Sequence, residues 1–275
     1  MGILRVSFAL LRRLPAIVVL VLLAGSVASL SAQERKRIDI EEAESLETNE
    51  KIVANAQRLL GNVRIRHNEI LMWCDSAYAY TGTNRVDAFG NVHINQGDTL
   101  HLYANMVKYD GDRSFARAIG NVRLVNKTTT LYSDTVDYDL AGNIGYYDDS
   151  GKIVDSTNVL TSQIARYFVN EDIVWFYQNV EGRNEDYVLT SDTVRYNTVS
   201  GIFYIQGPTH IRDSLNTIYA EDGWYDSRSG EAQLLKNPLV YNETQQMRGN
   251  FIDYNRNYGY GKASEIGRAS CRERV

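Results

Sequence analysis

An acid or an amide returns in this chain at a nearly constant interval, and that interval limits the possible folds more than any other feature. The column reads Asp75, Asn105, Asp134, Gln163, Asp192, Glu221 and Asn250, with one spacing of 30 and five of 29. Three places before each member stands an apolar residue (Met72, Leu102, Leu131, Leu160, Leu189, Ile218, Met247), and one place before it a small one (Cys74, Ala104, Ser133, Ser162, Ser191, Ala220, Gly249). Two places after it come Ala77, Val107, Val136, Ala165, Val194, Gly223 and Ile252, and four places after it Tyr109, Tyr138, Tyr167, Tyr196, Tyr225 and Tyr254, with Ala79 in the first copy. Self-similarity at a fixed period marks a repeat architecture.

A second column lies 15 residues after each acid or amide: Gly90, Gly120, Asp149, Gln178, Gly207 and Lys236, with Gly61 following a degenerate first copy at Ala43-Glu44. Its best copies read Gly-Asn-Val. Around it apolar residues alternate as in a strand, for example Val86, Ala88, Gly90, Val92, Ile94, or Phe203, Ile205, Gly207, Thr209, Ile211. Each repeat therefore holds two strands, about fourteen in all. Tyr, Val, Ile and Thr enrichment, with no long segment of helical period, argues for an all-β chain. The links are short and turn-like, such as Asp139-Leu-Ala-Gly-Asn143 and Asn197-Thr-Val-Ser-Gly201, so consecutive strands should pair antiparallel. Gly at the centre of one strand and a small-acid pair at the centre of the next permit a bend or bulge. The sheet should fold over along that row. The apolar and Tyr columns are out of phase, and a bulge at the small-acid pair would bring Leu131 and Val136 to one interior.

Residues 1–32 carry Arg5, Arg12 and Arg13, then the apolar run Ala16–Ala24, then small residues up to Ala32, the layout of a cleaved secretory signal peptide. The run is short for a membrane span. At the other end, residues 265–275 break both columns and read as translated sequencing adapter, which sets Cys271 aside; further repeats are expected beyond it. Residues 33–264 form the expected repeat domain. Without the three arginines of the leader and the three arginines and two glutamates of the tail, it holds 23 basic and 32 acidic residues, net −9. That charge makes nucleic acid a poor partner. Cys74 alone leaves no internal disulfide, and its place in the small column makes it a buried small residue.

The repeated strands of apolar-x-[Ala/Ser]-[Asp/Asn]-x-Val-x-Tyr type, alternating with Ala-x-Gly-Asn-Val strands behind a signal peptide, resemble the OstA-like family over residues 38–260. This is the family of lipopolysaccharide-transport proteins of the LptA and LptD N-terminal-domain type. The resemblance implies a folded-over antiparallel β-jellyroll whose apolar interior carries lipopolysaccharide acyl chains. It also implies a periplasmic location, with outer-membrane association left open, and partners that are homologous jellyroll domains added edge to edge, or head-to-tail copies of this chain.

On that basis the residues expected to line a lipid trough are Val107, Tyr109, Val136, Tyr138, Tyr167, Val194, Tyr196, Tyr225, Ile252 and Tyr254, with Val92, Val122 and Ile205 from the Gly strands. The expected bend-forming residues are Gly61, Gly90, Gly120, Gly207, Asp75, Asp134 and Asp192. A catalytic acid would not alternate with amides inside one chain, so the acid column reads as a turn device. No cofactor and no metal are expected, since His67, His93, His101 and His210 fall in different columns. Two other readings compete: a non-catalytic structural or glycan-binding β-repeat protein, and a polysaccharide lyase or hydrolase on a β-solenoid. Acids spread evenly, without a His-Asp or Lys-Arg constellation, argue against the second.

Overall fold

The computed structural model describes residues 37–48, 55–80, 82–258 and 260–264. The expected leader at 1–32, the adapter-like tail and Cys271 lie outside the described residues. Two short strands, β1 (Asp39–Glu42) and β2 (Ser45–Thr48), precede six long ones: β3 (Gln57–His67), β4 (Ile70–Tyr80), β5 (Arg85–Gln96), β6 (Leu100–Asp110), β7 (Phe115–Asn126) and β8 (Thr129–Asp139). Then come four short strands, β9 (Ile144–Tyr147), β10 (Gly151–Val154), β11 (Val159–Ser162) and β12 (Ile164–Phe168), and two long ones, β13 (Ile173–Arg183) and β14 (Tyr187–Asn197). The remainder is short again: β15 (Ile202–Ile205), β16 (Thr209–Asp213), β17 (Thr217–Ala220), β18 (Asp222–Asp226), β19 (Glu231–Leu235), β20 (Leu239–Tyr241), β21 (Gln246–Arg248), β22 (Phe251–Asn255) and β23 (Tyr260–Ser264). Every pairing is antiparallel and all belong to one sheet. Among the described residues two single-turn 3-10 helices interrupt it, at Val169–Glu171 and Arg256–Tyr258.

Each long strand changes direction at its centre. Between Phe89 and Val92 the register against β6 slips by one residue, and the extra residue is on the Gly-Asn strand, not at the small-acid pair where the sequence placed the bulge, because only the Gly-Asn pair takes the left-handed backbone it needs. The same slip occurs at Leu60/Val63, Ile119/Val122 and Tyr177/Val180. Both residues of each bulge take left-handed backbone, for example Gly90 at φ 74 and Asn91 at φ 44. Glycine is the residue that adopts this without a steric penalty, and Asn tolerates it better than most. The bulge also crowds its neighbour: a Cβ on Gly90 would lie 2.3 Å from a carboxylate oxygen of Asp75. The acid and Gly columns thus meet across the bend.

The bend creates two layers. After β8 the halves separate visibly, because β9 continues the layer of residues 137–139 while β10 continues that of residues 130–133. One layer, here the back, runs through the C-terminal half of β8, then β9, β12, the N-terminal half of β13, the C-terminal half of β14, β15, β18, β19, β22 and β23; the front runs through the N-terminal half of β8, then β10, β11, the C-terminal half of β13, the N-terminal half of β14, β16, β17, β20 and β21. The chain is a folded-over antiparallel β-jellyroll. Its strands number more than the expected two per repeat because several copies break outright at the bend. Pro208 and Pro238 stand at two of these breaks, and a proline has no N–H to continue a ladder. Both Leu131 and Val136 are fully buried, so the two out-of-phase columns share one interior.

Candidate functional site

The space between the layers is apolar along its whole length. All thirteen residues expected to line a trough point into it, and none is more than 3 % exposed. The interior is therefore shut: side chains from both layers fill it, as Phe203 of β15 does against Tyr187 of β14 and Tyr225 of β18, with ring centroids 6.0 and 6.5 Å away. Arg195, next to Val194, faces outward and lies over Tyr204 at 4.1 Å.

One side of the interior is the bend. Its opposite side, where the turns of the front layer meet those of the back, is a hydrogen-bonded seam, and the tyrosine column makes it. Tyr109 pairs with His67 at 2.6 Å, Tyr138 with Gln96 at 3.3 Å and Tyr167 with Asn126 at 3.0 Å. The Tyr196 hydroxyl donates to Asp155 and accepts from Asn158, and Tyr254 donates to Asp213 at 2.7 Å and accepts from Asn216. In all five cases the first-named partner lies 41 or 42 residues before the tyrosine. The sixth, Tyr225, accepts instead from Arg256, whose guanidinium also pairs with Asp186 at 3.0 Å across the seam. Lys127 with Asp172 and Gln96 with the Leu140 carbonyl add further bonds from rim to rim.

The five partners His67, Gln96, Asn126, Asp155 and Asp213 belong to a third column, completed by Asn184 and Asn242, which sequence reasoning missed although its spacing is the same 29 or 30. Its role was hidden because each member opens a turn. One Asp213 oxygen accepts the backbone N–H groups of Leu215 and Asn216, an Asx turn, while the other accepts Tyr254. A single carboxylate thus builds its own turn and latches the opposite layer. Burial pushes the tyrosines Tyr109, Tyr138, Tyr196, Tyr225 and Tyr254 well above their ordinary pKa, so they stay protonated as the bonds require.

The bend residues divide. Gly61, Gly90 and Gly120 adopt positive φ against Glu44, Asp75 and Asn105, and Asn91 donates to Asp75 at 2.9 Å. Asn237 plays the same part toward Glu221, and with Lys236 and Tyr219 it holds that carboxyl below its usual range. Asp134 and Asp192 lack this partner, because Ser150 and Pro208 stand where other copies have Asn. Gly207 does not have positive φ and has open space around its Cα. It marks a break between strands and not a bulge. Cys74 is buried, which raises its thiol to about 11.

The four histidines are less scattered than their columns imply. His93 and His101 meet on the outer face with nitrogens 3.0 Å apart, and burial together with His101 lowers the pKa of His93. No cluster of three metal-ligating side chains occurs among the described residues.

Comparison with solved structures finds "LptH, the LptA homologous periplasmic component of the conserved lipopolysaccharide transport device from Pseudomonas aeruginosa". The alignment covers 59% of this chain and 77% of that one at 13% identity, with a TM-score of 0.19, too loose a superposition to transfer anything residue by residue. No curated protein matches the chain. The family model described as OstA-like protein matches residues 35–192, more than half of the sequence and the part that holds the regular bulges and the first seam bonds, and the chain belongs to the OstA-like family.

Proposed function

We propose that this chain is a periplasmic lipopolysaccharide-binding transport protein that shields acyl chains in its interior between the inner and outer membranes and so serves outer-membrane assembly. The observation that carries this reading is the continuous apolar interior, bounded on one side by a covalently continuous bend and on the other, among the described residues, by side-chain hydrogen bonds and ion pairs. Family membership supports it. The interior is closed, so acyl chains require the layers to part, and the magnitudes allow that. A typical hydrogen bond contributes about 1 kcal/mol net, so parting three neighbouring latches costs on the order of 3 to 5 kcal/mol. Six methylenes removed from water return about 5 kcal/mol. Parting a few latches at a time, while the bend holds, would let a chain occupy the interior without unfolding the sheet.

Transfer from one protein to the next would use the sheet's ends. Among the described residues, β1 and β2 each pair on one side only, with β3, and β21 and β23 each have one partner, β20 and β22. Unpaired strand edges invite strand addition by a homologous jellyroll domain or a second copy of this chain. The reading assigns the chain no chemistry: its work is containment, and the energy for movement comes from elsewhere.

The test is photocrosslinking in cells with a small diazirine-bearing aliphatic residue at Val107 and at Val194, and at the outward neighbours Lys108 and Arg195 as controls. Lipopolysaccharide adducts at the inward pair, with few at the outward pair, are expected. A folded, exported protein giving adducts at none of the four positions would overturn the reading.

A further inference from the structure

The outer face of the sheet carries a hollow of about 870 Å³ beside the bend, between β6–β8 and β10–β11. It occurs where the repeat departs from its own pattern. In regular copies the Asn of the bulge fills the outside of the bend and donates to the acid across from it, as Asn91 does to Asp75 and Asn237 to Glu221. In this copy the residues are Asp149-Ser150. Ser150 turns to Gln163, donating at 3.1 Å, and Asp134 is left with no hydrogen bond or ion pair among the described residues. Asp149, Asn121 and Asn179 also line the hollow and are equally unengaged.

Its floor is a cross-strand row of alternating rings and cations: Tyr103, Arg123, Tyr132 and Lys152 are successive partners through β6, β7, β8 and β10. Arg123 lies 4.4 Å over Tyr103, and Lys152 lies 4.8 Å over Tyr132. The cations hold the rings in place, and Tyr132, 37 % exposed, offers its surface to the hollow. Two cations and two carboxylates leave the lining without net charge.

The geometry points to a saccharide-binding site, taking a short uncharged oligosaccharide along the outer face. A flat ring presented beside unengaged carboxylates and carboxamides matches a ligand with an apolar ring face edged by hydroxyls, and the volume is that of a small-molecule site. A balanced lining selects neither polyanion nor polycation. The site is on the opposite face of the sheet from the acyl-chain interior, so it stands or falls independently of that reading.

The test titrates the full-length protein, followed by saturation-transfer NMR, with two uncharged probes: chitotetraose, which has the N-acetylated chemistry of cell-wall glycan, and a neutral hexose tetrasaccharide of the kind that forms the outer sugars of lipopolysaccharide. Binding of at least one probe at millimolar concentration or below is expected, and which one binds tells the source. Tyr132→Ala should weaken it by about tenfold or more, Asp134→Ala by a smaller factor, and Tyr132→Phe should leave it nearly unchanged. Tyr132 is surface-exposed, so these variants are expected to fold, and near-wild-type circular dichroism checks it. Binding of neither probe would overturn the proposal, as would affinity unaltered in both alanine variants. A hollow that retains only heparin, a sulfated polysaccharide, would overturn it too, as an anion site.

Discussion

The first half of the sheet, through β8, and the second half, from β9 onward, are written in the same 29-residue pattern but have unlike interiors. In the first half the six strands β3 to β8 cross the bend unbroken, and the back layer presents Ala77, Ala79, Ala88, Ala116 and Ala118, all buried. In the second half most strands break at the bend, and the interior is filled by Tyr147, Tyr167, Phe176, Tyr187, Tyr196, Phe203 and Tyr225. The difference teaches that the bend and the filling are set by separate columns. The Gly-Asn bulge fixes how tightly the sheet folds, while the apolar columns fix what lies between the layers, and the two vary independently along the chain. Where the lining is small, room for an acyl chain can be made by moving the layers apart; where it is aromatic, rings must also be displaced. On the acyl-chain reading, crosslinking to lipid at Val107 should exceed that at Val194, and equal yields would remove the distinction.

The largest effect tests the aromatic filling. Phe203 packs against Tyr196 at 4.5 Å and stands between Tyr187 and Tyr225. Phe203→Ala should cost about 3 to 5 kcal/mol through the cavity it leaves, read as a lowered urea midpoint. Ala118→Leu, which overfills the narrow half, should cost about 1 to 3 kcal/mol. The two should part company on lipid: the first makes room and should raise adduct yield at Val194, and the second should lower it at Val107. A common sign would mean that both halves are ordinary core.

Next is the seam. Tyr196→Phe strips a buried Asp155 oxygen of its donor and should cost about 1 to 3 kcal/mol, whereas Tyr138→Phe, whose partners are the neutral Gln96 and Asn143, should cost about 1 kcal/mol. Alkali tests the seam as a whole. Burial raises the seam and interior tyrosines above the ordinary pKa of about 10, so the folded chain keeps protons that the unfolded chain releases. Their contribution is whole below about pH 10 and is lost as pH rises beyond it. Tyr109 and Tyr138 lie in the first half, while Tyr147, pushed up to about 12, and Tyr167, Tyr187, Tyr196, Tyr225 and Tyr254 lie in the second. Neighbouring repeats are the cooperative unit in such architectures, so amide exchange above pH 10 should open the second half first. Uniform opening would make the sheet one cooperative body.

Much of this was legible because period and phase are properties of sequence. The 29-residue spacing located the bend, and the clash of phase between Leu131 and Val136 pointed to a bulge, although on the strand opposite the one expected. Three things were not legible. At Asp149-Ser150 and Gly207-Pro208 the left-handed pair does not form and the strand breaks, which a tolerance for substitution in the Gly column disguised; Gln178 adopts positive φ without being glycine and its strand stays whole. The seam joins positions 41 or 42 apart, a stagger that comes from how one layer lies over the other and not from the repeat alone. The outward rows of rings and cations, Trp73, His93, Tyr103 and Arg123 among them, alternate with the inward columns, and which of them stack together is set by cross-strand register.

The smallest effect compares two glycines of one column. Gly90→Ala forces a Cβ onto φ 74 and against the Asp75 carboxylate, so it should cost at least the 1 to 2 kcal/mol, roughly, of left-handed backbone. Gly207→Ala meets neither obstacle, and by restricting the unfolded chain it should be neutral or stabilising by about 0.5 kcal/mol. Adding Asp75→Ala to Gly90→Ala separates the two causes in the first case: relief of the side-chain clash should recover part of the loss, while the backbone share remains. If Gly207→Ala proves as costly as Gly90→Ala, the break before Pro208 is a strained bend like the others, and the two halves of the sheet are folded by one device after all.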